Sequence, residues 1–178
     1  RPGRLRPHAA LPDEIAKRVR GGQPGTERNG EIFGEAIQEI ARDGSVVWEW
    51  LTFDHLDPEV DVIGPLHPRD RWTNLNSLAE MPDGNILVSF RCINTVAIID
   101  RKTGRFIWKW GPGHIAGQHN PTLLGNGNIL IFDNGAHRAY TTIDFSRVIE
   151  VDPRTNTIAR EYKENQVFDF NSLISTGA

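Results

Sequence analysis

The sequence predicts an all-β chain built as part of a β-propeller, and three observations carry the prediction. The stretch Met81-Pro-Asp-Gly-Asn-Ile-Leu-Val-Ser-Phe90 recurs as Leu124-Gly-Asn-Gly-Asn-Ile-Leu-Ile-Phe-Asp133, each copy reading as a turn that opens an apolar strand. Three further turns, at residues 42–45, 100–104 and 152–156, separate short apolar runs. Each leads, at one fixed spacing, to an aromatic: Trp50, Trp110 or Tyr162. Joined in order, these pieces make a unit of four antiparallel strands with a period of roughly 40–50 residues, the period of propeller blades. Gly and Pro are frequent, at 17 and 11, and five Trp supply large packing anchors.

Residues 1–30 read as an N-terminal arm. Leu11-Pro-Asp-Glu-Ile-Ala-Lys-Arg-Val-Arg20 predicts a short helix: Pro12 suits a first turn, acids follow it, and bases gather at the end, as the helix dipole favours. Gly21-Gly22 stops the helix, and 21–30 reads as a loop. The arm is expected to pack on the outside of the blades.

Residues 31–178 carry the blades. Runs at 37–40 and 46–50 form the closing hairpin of one unit. The next unit has a lead-in strand at 75–80, an inner strand up to Phe90, and a hairpin of 96–99 with 106–110. The one after has a lead-in at 122–124, an inner strand up to Asp133, an enlarged surface loop at 136–145, and a hairpin of 148–151 with 158–162. Residues 168–178 begin another. Gly44, Gly104 and Asn156 tolerate the left-handed conformation that such turns need. With a strand period of two, Trp48 and Trp50 share one face, as do Trp108 and Trp110. A β-sandwich is the competing architecture, and the matched turns argue against it. About three to four blades are expected from a ring that closes with four to eight. Further C-terminal blades or a second copy of the chain is therefore expected to complete it.

The charge balance, 20 basic against 23 acidic residues, gives −3. That offers no footprint for nucleic acid or an anionic membrane, and neither is expected as a partner. No apolar run reaches the length of a membrane span. A single cysteine, Cys92, excludes an internal disulfide, and its scarcity is compatible with an exported protein. The opening Arg1-Pro2-Gly3-Arg4 has no apolar stretch behind it, so no signal peptide is read in the sequence.

Histidines and arginines mark the candidate chemistry. His119, in Gly117-Gln-His-Asn120, sits in a glycine-flanked loop just before a lead-in strand, with His114 on the same loop. His137 and Arg138 follow the inner strand in Asp133-Asn-Gly-Ala-His-Arg138, and Arg91 ends the inner strand of the preceding unit. Gathered at one mouth of a ring, they would suit an anionic substrate. Arginine offers a two-pronged fork for sulfate or phosphate, and histidine acts as base or nucleophile. The alternatives are solvated loop residues and, for Arg91, an ion pair with a neighbouring blade. No carboxylate or cysteine is spaced to complete a metal set with His114 and His119, so neither metal nor cofactor is expected. Glycine-rich phosphate loops, serine elbows and CxxC pairs are missing. Cys92, beside Arg91, reads as a buried structural cysteine or a low-pKa thiol, and the Trp residues read as packing.

On these residues the chain resembles the arylsulfotransferase (ASST-type) propeller family. The matching stretches are Val46-Val-Trp-Glu-Trp50, residues 72–99, Gln118-His119 through Phe132-Asp-Asn-Gly135, Arg147-Val-Ile-Glu-Val-Asp-Pro153 and Ser175-Thr-Gly-Ala178. Gln-His followed by Phe-Asp-Asn-Gly-x-x-Arg is the most specific part. The resemblance implies a six-bladed propeller, periplasmic or secreted, that moves a sulfuryl group between aryl sulfates and phenols without the nucleotide donor PAPS. In that family one histidine carries the sulfuryl group covalently, while other histidines and an arginine assist. His119 and Arg138 match the assisting catalytic pair, and Arg91, Asn74, Asn76 and His137 are candidates for substrate binding. Where the family has histidine in a Trp-Thr-His-x-Asn stretch, this chain reads Trp72-Thr73-Asn74-Leu75-Asn76. Asn74 can hydrogen-bond an oxygen but cannot shuttle a proton. The sulfuryl-accepting histidine is expected on a later blade, beyond Ala178. Two other functions fit the same architecture: a non-catalytic propeller that binds an anionic ligand or partner protein, and a metal-dependent, lactonase-like hydrolase.

Overall fold

Short apolar runs punctuated by Asp-Gly and Asn-Gly fold into antiparallel ladders because the turn residues complete their own hydrogen bonds locally. The computed structural model describes residues 9–138, 143–165 and 170–172, which fall into two compact units divided after Asn74.

In the first unit, β1 (Ala9–Ala10) precedes the one-turn helix α1 (Asp13–Ala16), followed by β2 (Gly21–Gln23) and β3 (Phe33–Gly34). Next come β4 (Ala36–Ile40), β5 (Val46–Leu51), a second one-turn helix α2 (Thr52–His55) and β6 (Ile63–Pro68). The helix expected over 11–20 is much shorter. Pro12 sits at its N-cap with extended ψ and no side chain caps it, so only one turn forms. The expected loop 21–30 begins instead with a strand: β2 runs parallel to β6. This pairing needs glycine. Gly21 has φ +78°, and a Cβ there would lie 2.0 Å from the Ile63 carbonyl oxygen. Arg69 fastens the arm from the β6 side, with its Nε donating to Glu27 at 2.7 Å, Nη2 to the Val19 carbonyl at 3.1 Å and Nη1 to the Gly21 carbonyl. Trp50 and Trp72 are buried here; Trp50 stacks on His55, and the Trp72 indole donates to the Asp61 carbonyl at 2.7 Å.

The second unit holds two four-stranded antiparallel sheets. One is β7 (Leu75–Glu80), β8 (Ile86–Phe90), β9 (Thr95–Ile99) and β10 (Phe106–Trp110), in sequence order. The other is β11 (His119–Leu123), β12 (Ile129–Asp133), β13 (Arg147–Asp152) and β14 (Thr157–Tyr162). The expected four-strand unit is therefore present twice, and the lead-in expected at 122–124 is longer, starting at His119. The enlarged loop is not simply a surface excursion: Ala136 and Ser146 are buried at its two ends, while 139–142 lie outside the described residues. Of the unit expected to begin at 168–178, only 170–172 are described, and they form no strand.

Atomic detail regroups the turns. At 81–85 the Met81 amide donates to the Asn85 carbonyl, Gly84 donates back to Met81, and Asp83 Oδ1 accepts from the Asn85 amide. The 124–128 turn repeats this through Leu124, Gly127 and Asn126. The 41–45 turn does the same through Ala41, Gly44 and Asp43. It was expected to share the device of 100–104 and 152–156, but those are longer: Gly104 and Asn156 donate to the carbonyls of Asp100 and Asp152. All of the pivots have positive φ, with Gly44 at 91°, Gly104 at 71° and Asn156 at 59°.

The core lies between the two sheets of the second unit. Leu87, Val96, Ile98, Trp108 and Trp110 from the first sheet meet Ile129, Ile131, Ile149 and Val151 from the second. Trp108 and Trp110 lie nearly parallel on one face, 6.4 Å apart, and the Trp108 indole donates to Asn156 Oδ1 at 2.7 Å. That bond attaches the outer strand of one sheet to the last turn of the next.

Ile131 is fully buried in this core. Ile131→Ala is expected to cost about 2–5 kcal/mol. In urea unfolding this would appear as a lower midpoint with an unchanged slope.

Candidate functional site

Apolar side chains carry β12 through the core; the strand then ends on Asp133 and Asn134 follows it, both fully buried. A carboxylate in such a place survives only if its lone pairs are met. Asp133 Oδ1 accepts from the amides of Ala116 at 2.9 Å and Gly135 at 3.2 Å. Its Oδ2 accepts from Arg138 Nη2 and Arg147 Nε, both at 2.8 Å. Gly135 makes room for this cluster: its φ is +74°, and a Cβ would lie 1.9 Å from the Phe145 carbonyl oxygen.

The two arginines differ. The Arg138 side chain is 9% exposed, stacks on the Phe145 ring at 4.1 Å, and donates to the Phe145 carbonyl at 3.3 Å. Burial pulls its pKa down; Asp133 opposes that, and the neighbouring Arg147 adds to it. Burial acts on Arg147 in the same direction, but hydrogen bonds to Glu161 and Asp133 outweigh it and raise its pKa. Arg147 also donates to the His114 carbonyl at 2.6 Å and to Glu161 at 2.7 Å. The bond from Arg147 in turn holds Glu161 below the usual carboxylate range.

His119 opens β11 rather than lying in the loop before it, because its backbone already pairs with Phe132 of β12. Its half-buried ring places Nδ1 2.7 Å from Asn134 Oδ1, and Asn134 Nδ2 donates to the Ser172 carbonyl at 2.5 Å. The preceding Gln118 is fully buried; its amide nitrogen faces Ser89 Oγ and the carbonyls of Phe90 and Thr95, within 3.2 Å. Asn76 of β7 donates to the Gln118 carbonyl at 2.8 Å. Arg91, in the turn between β8 and β9, brings its guanidinium to 4.0 Å from where a Cβ on Gly117 would lie.

The expected site residues thus divide. His119, Arg138, Arg91 and Asn76 converge on residues 117–119 and 133–138. His137 is exposed, with φ +66°, and its backbone amide donates to Asp144. His114 is also exposed, with its ring stacked on Trp110 at 5.0 Å. Asn74 closes the first unit with φ +48°. Cys92 is buried and not disulfide-bonded. Sequence reasoning passed over Asp133, Asn134 and Arg147. A signal was present: in the repeat, Asp133 and Asn134 occupy the places of Phe90 and Arg91, so a fully buried acid replaces a fully buried ring.

Asp133→Asn would leave two buried guanidinium groups without their shared carboxylate, and is expected to cost about 3–5 kcal/mol by urea unfolding. Glu161 titrates lower folded than unfolded, so its contribution is present at neutral pH and lost as pH falls through the folded value. The gap in urea midpoint between the native chain and Glu161→Gln should therefore start to narrow as pH falls past the unfolded value of about 4.3, and close below the lower folded one.

Comparison with known proteins completes the picture. The family model described as arylsulfotransferase (ASST) matches residues 12–116, more than half of the chain. The match takes in Asn74, Asn76 and Arg91, and ends just before Gln118-His119. No curated protein matches the chain. Among solved structures, a protein of unknown function from Bacteroides caccae is 16% identical with a TM-score of 0.46, over 74% of this chain and 39% of that one. The chain therefore spans about two fifths of that protein's length. By the extent of the family match, the chain belongs to the arylsulfotransferase (ASST) family.

Proposed function

We propose that the chain forms part of a β-propeller, periplasmic or secreted, that transfers a sulfuryl group from an aryl sulfate to a phenol through a histidine intermediate, without PAPS. Family membership carries this reading. Two adjacent residues support it: Asn134 anchors His119, and Asp133 holds Arg138 and Arg147.

In the proposed second half-reaction, the acceptor phenol gives its proton to His119 as its oxygen attacks sulfur. The S–N bond to the carrier histidine breaks, and that nitrogen keeps the electron pair. The carrier is supplied by a later blade. Negative charge spreads over the sulfuryl oxygens in the transition state, so fixed cations stabilise it more than they stabilise the ground state. Arg91 is assigned to the sulfate. Arg138, held by Asp133 and mostly buried, contributes a positive charge that does not have to reorganise.

Asn74 favours a second reading. It stands where the family has a histidine, which fits a propeller that binds an anionic ligand or partner protein without turning it over. One assay separates the readings. With 4-nitrophenyl sulfate and phenol, the full-length protein, later blades included, should release nitrophenolate, insensitive to chelator, and His119→Ala should lower turnover by at least ~10²-fold. Absence of release would leave the binding reading, and loss of release on chelation would point to metal-dependent hydrolysis.

A further inference from the structure

We propose that Asn134 is a positioning residue that sets which ring nitrogen of His119 is available for proton transfer. The consequence for catalysis rests on the sulfuryl-transfer reading above; the statement about the ring does not.

The argument starts from a carbonyl. The Ser172 oxygen can only accept, so the end of the Asn134 amide facing it at 2.5 Å is the NH₂ group. The opposite assignment would set two acceptors against each other. Asn134 Oδ1 is therefore the atom 2.7 Å from His119 Nδ1, and an amide oxygen can only accept as well. His119 Nδ1 must then carry hydrogen. In the neutral ring this leaves the lone pair on Nε2. Free imidazole side chains favour the other tautomer, with hydrogen on Nε2, so the site reverses the default.

The surroundings hold this arrangement in place. Asn134 is fully buried, which removes competition from solvent. Ser146, 1% exposed, accepts from the Ser172 amide at 2.7 Å, and its hydroxyl lies 3.0 Å from the Asn134 carbonyl and 3.2 Å from that of Ser172. The Ser172 carbonyl is thereby aimed at Asn134 by backbone and side chain together. One residue earlier, Asp133 is locked by four donors, so the start of the Asn134 backbone is fixed too. Asparagine supplies the acceptor without placing a negative charge beside the ring.

The test reads the tautomer directly. Long-range ¹H–¹⁵N correlation spectra of ring-labelled protein, at mildly alkaline pH, distinguish protonated from bare ring nitrogens. Among the six histidines, His119→Gln identifies the relevant signals. In the native chain, Nδ1–H with bare Nε2 is expected; Nε2–H, or rapid exchange between the two forms, would overturn the proposal. Asn134→Leu, which removes the acceptor, should switch the ring to Nε2–H. An unchanged tautomer in Asn134→Leu would also sink it. The native measurement needs no variant and so stands even if the leucine variant does not fold. In the nitrophenyl sulfate assay on the full-length protein, Asn134→Leu should lower kcat by at least ~10²-fold with KM little changed. The expected tautomers without any sulfuryl transfer in the native protein would uphold the positioning role and remove the transferase reading.

Discussion

A carboxylate buried to zero exposure is an expense that a fold meets only with complete hydrogen bonding, and Asp133 has it. Its four donors come from four places: the segment leading into β11, the turn after β12, the loop beyond it, and the start of β13. Arg147 extends the network to Glu161 on β14 and to the His114 carbonyl. One end of the second sheet is thus registered through a single side chain. Two cationic arms meet the one carboxylate, Glu161 offsets the charge of Arg147, and the network leaves Arg138 stacked and still instead of swinging in solvent. Such an arrangement trades adaptability for preorganisation, which suits a site that must meet developing negative charge without rearranging.

The apolar counterpart of this polar end is the layer between the two sheets. Strands β8 and β9 are buried along their whole length, while β14 is exposed along all of its own. Burial therefore falls away toward the outer edge of the second sheet, and Asp133, which holds the arginines, sits at the end of a buried strand rather than on the exposed one. Rigid strands aim these residues better than a free loop would.

How much of this was legible depends on how local each cause is. The pivots of the repeated turns could be read because Asp83, Asn126 and Asp43 each bond an amide two residues on, inside the segment that encodes the turn. The strands bounded by those turns followed. The pairing of β2 with β6 was hidden: nothing near Gly21 announces that the backbone of Ile63 will approach it, and the same glycines read equally well as a helix stop. The regrouped 41–45 turn shows the reverse error, since its aromatic strand resembled one class of hairpin while its hydrogen bonds belong to another. At the site, histidine and arginine were conspicuous as residue types. Asp133 and Asn134 were not, because their importance comes from being buried beside partners distant in sequence. The internal repeat holds the sign of them, an acid set against a phenylalanine.

The bond from Trp108 to Asn156 has a consequence for how the chain assembles. Asn156 already has a task within its own hairpin, where its left-handed backbone turns the chain from β13 to β14. Its side chain then receives the indole of the preceding sheet. Completion of one hairpin is thereby coupled to the sheet before it. For these two sheets, the stability of each is its own ladder plus the seam that joins them. The seam between them is complete only when the last turn of the second sheet has formed.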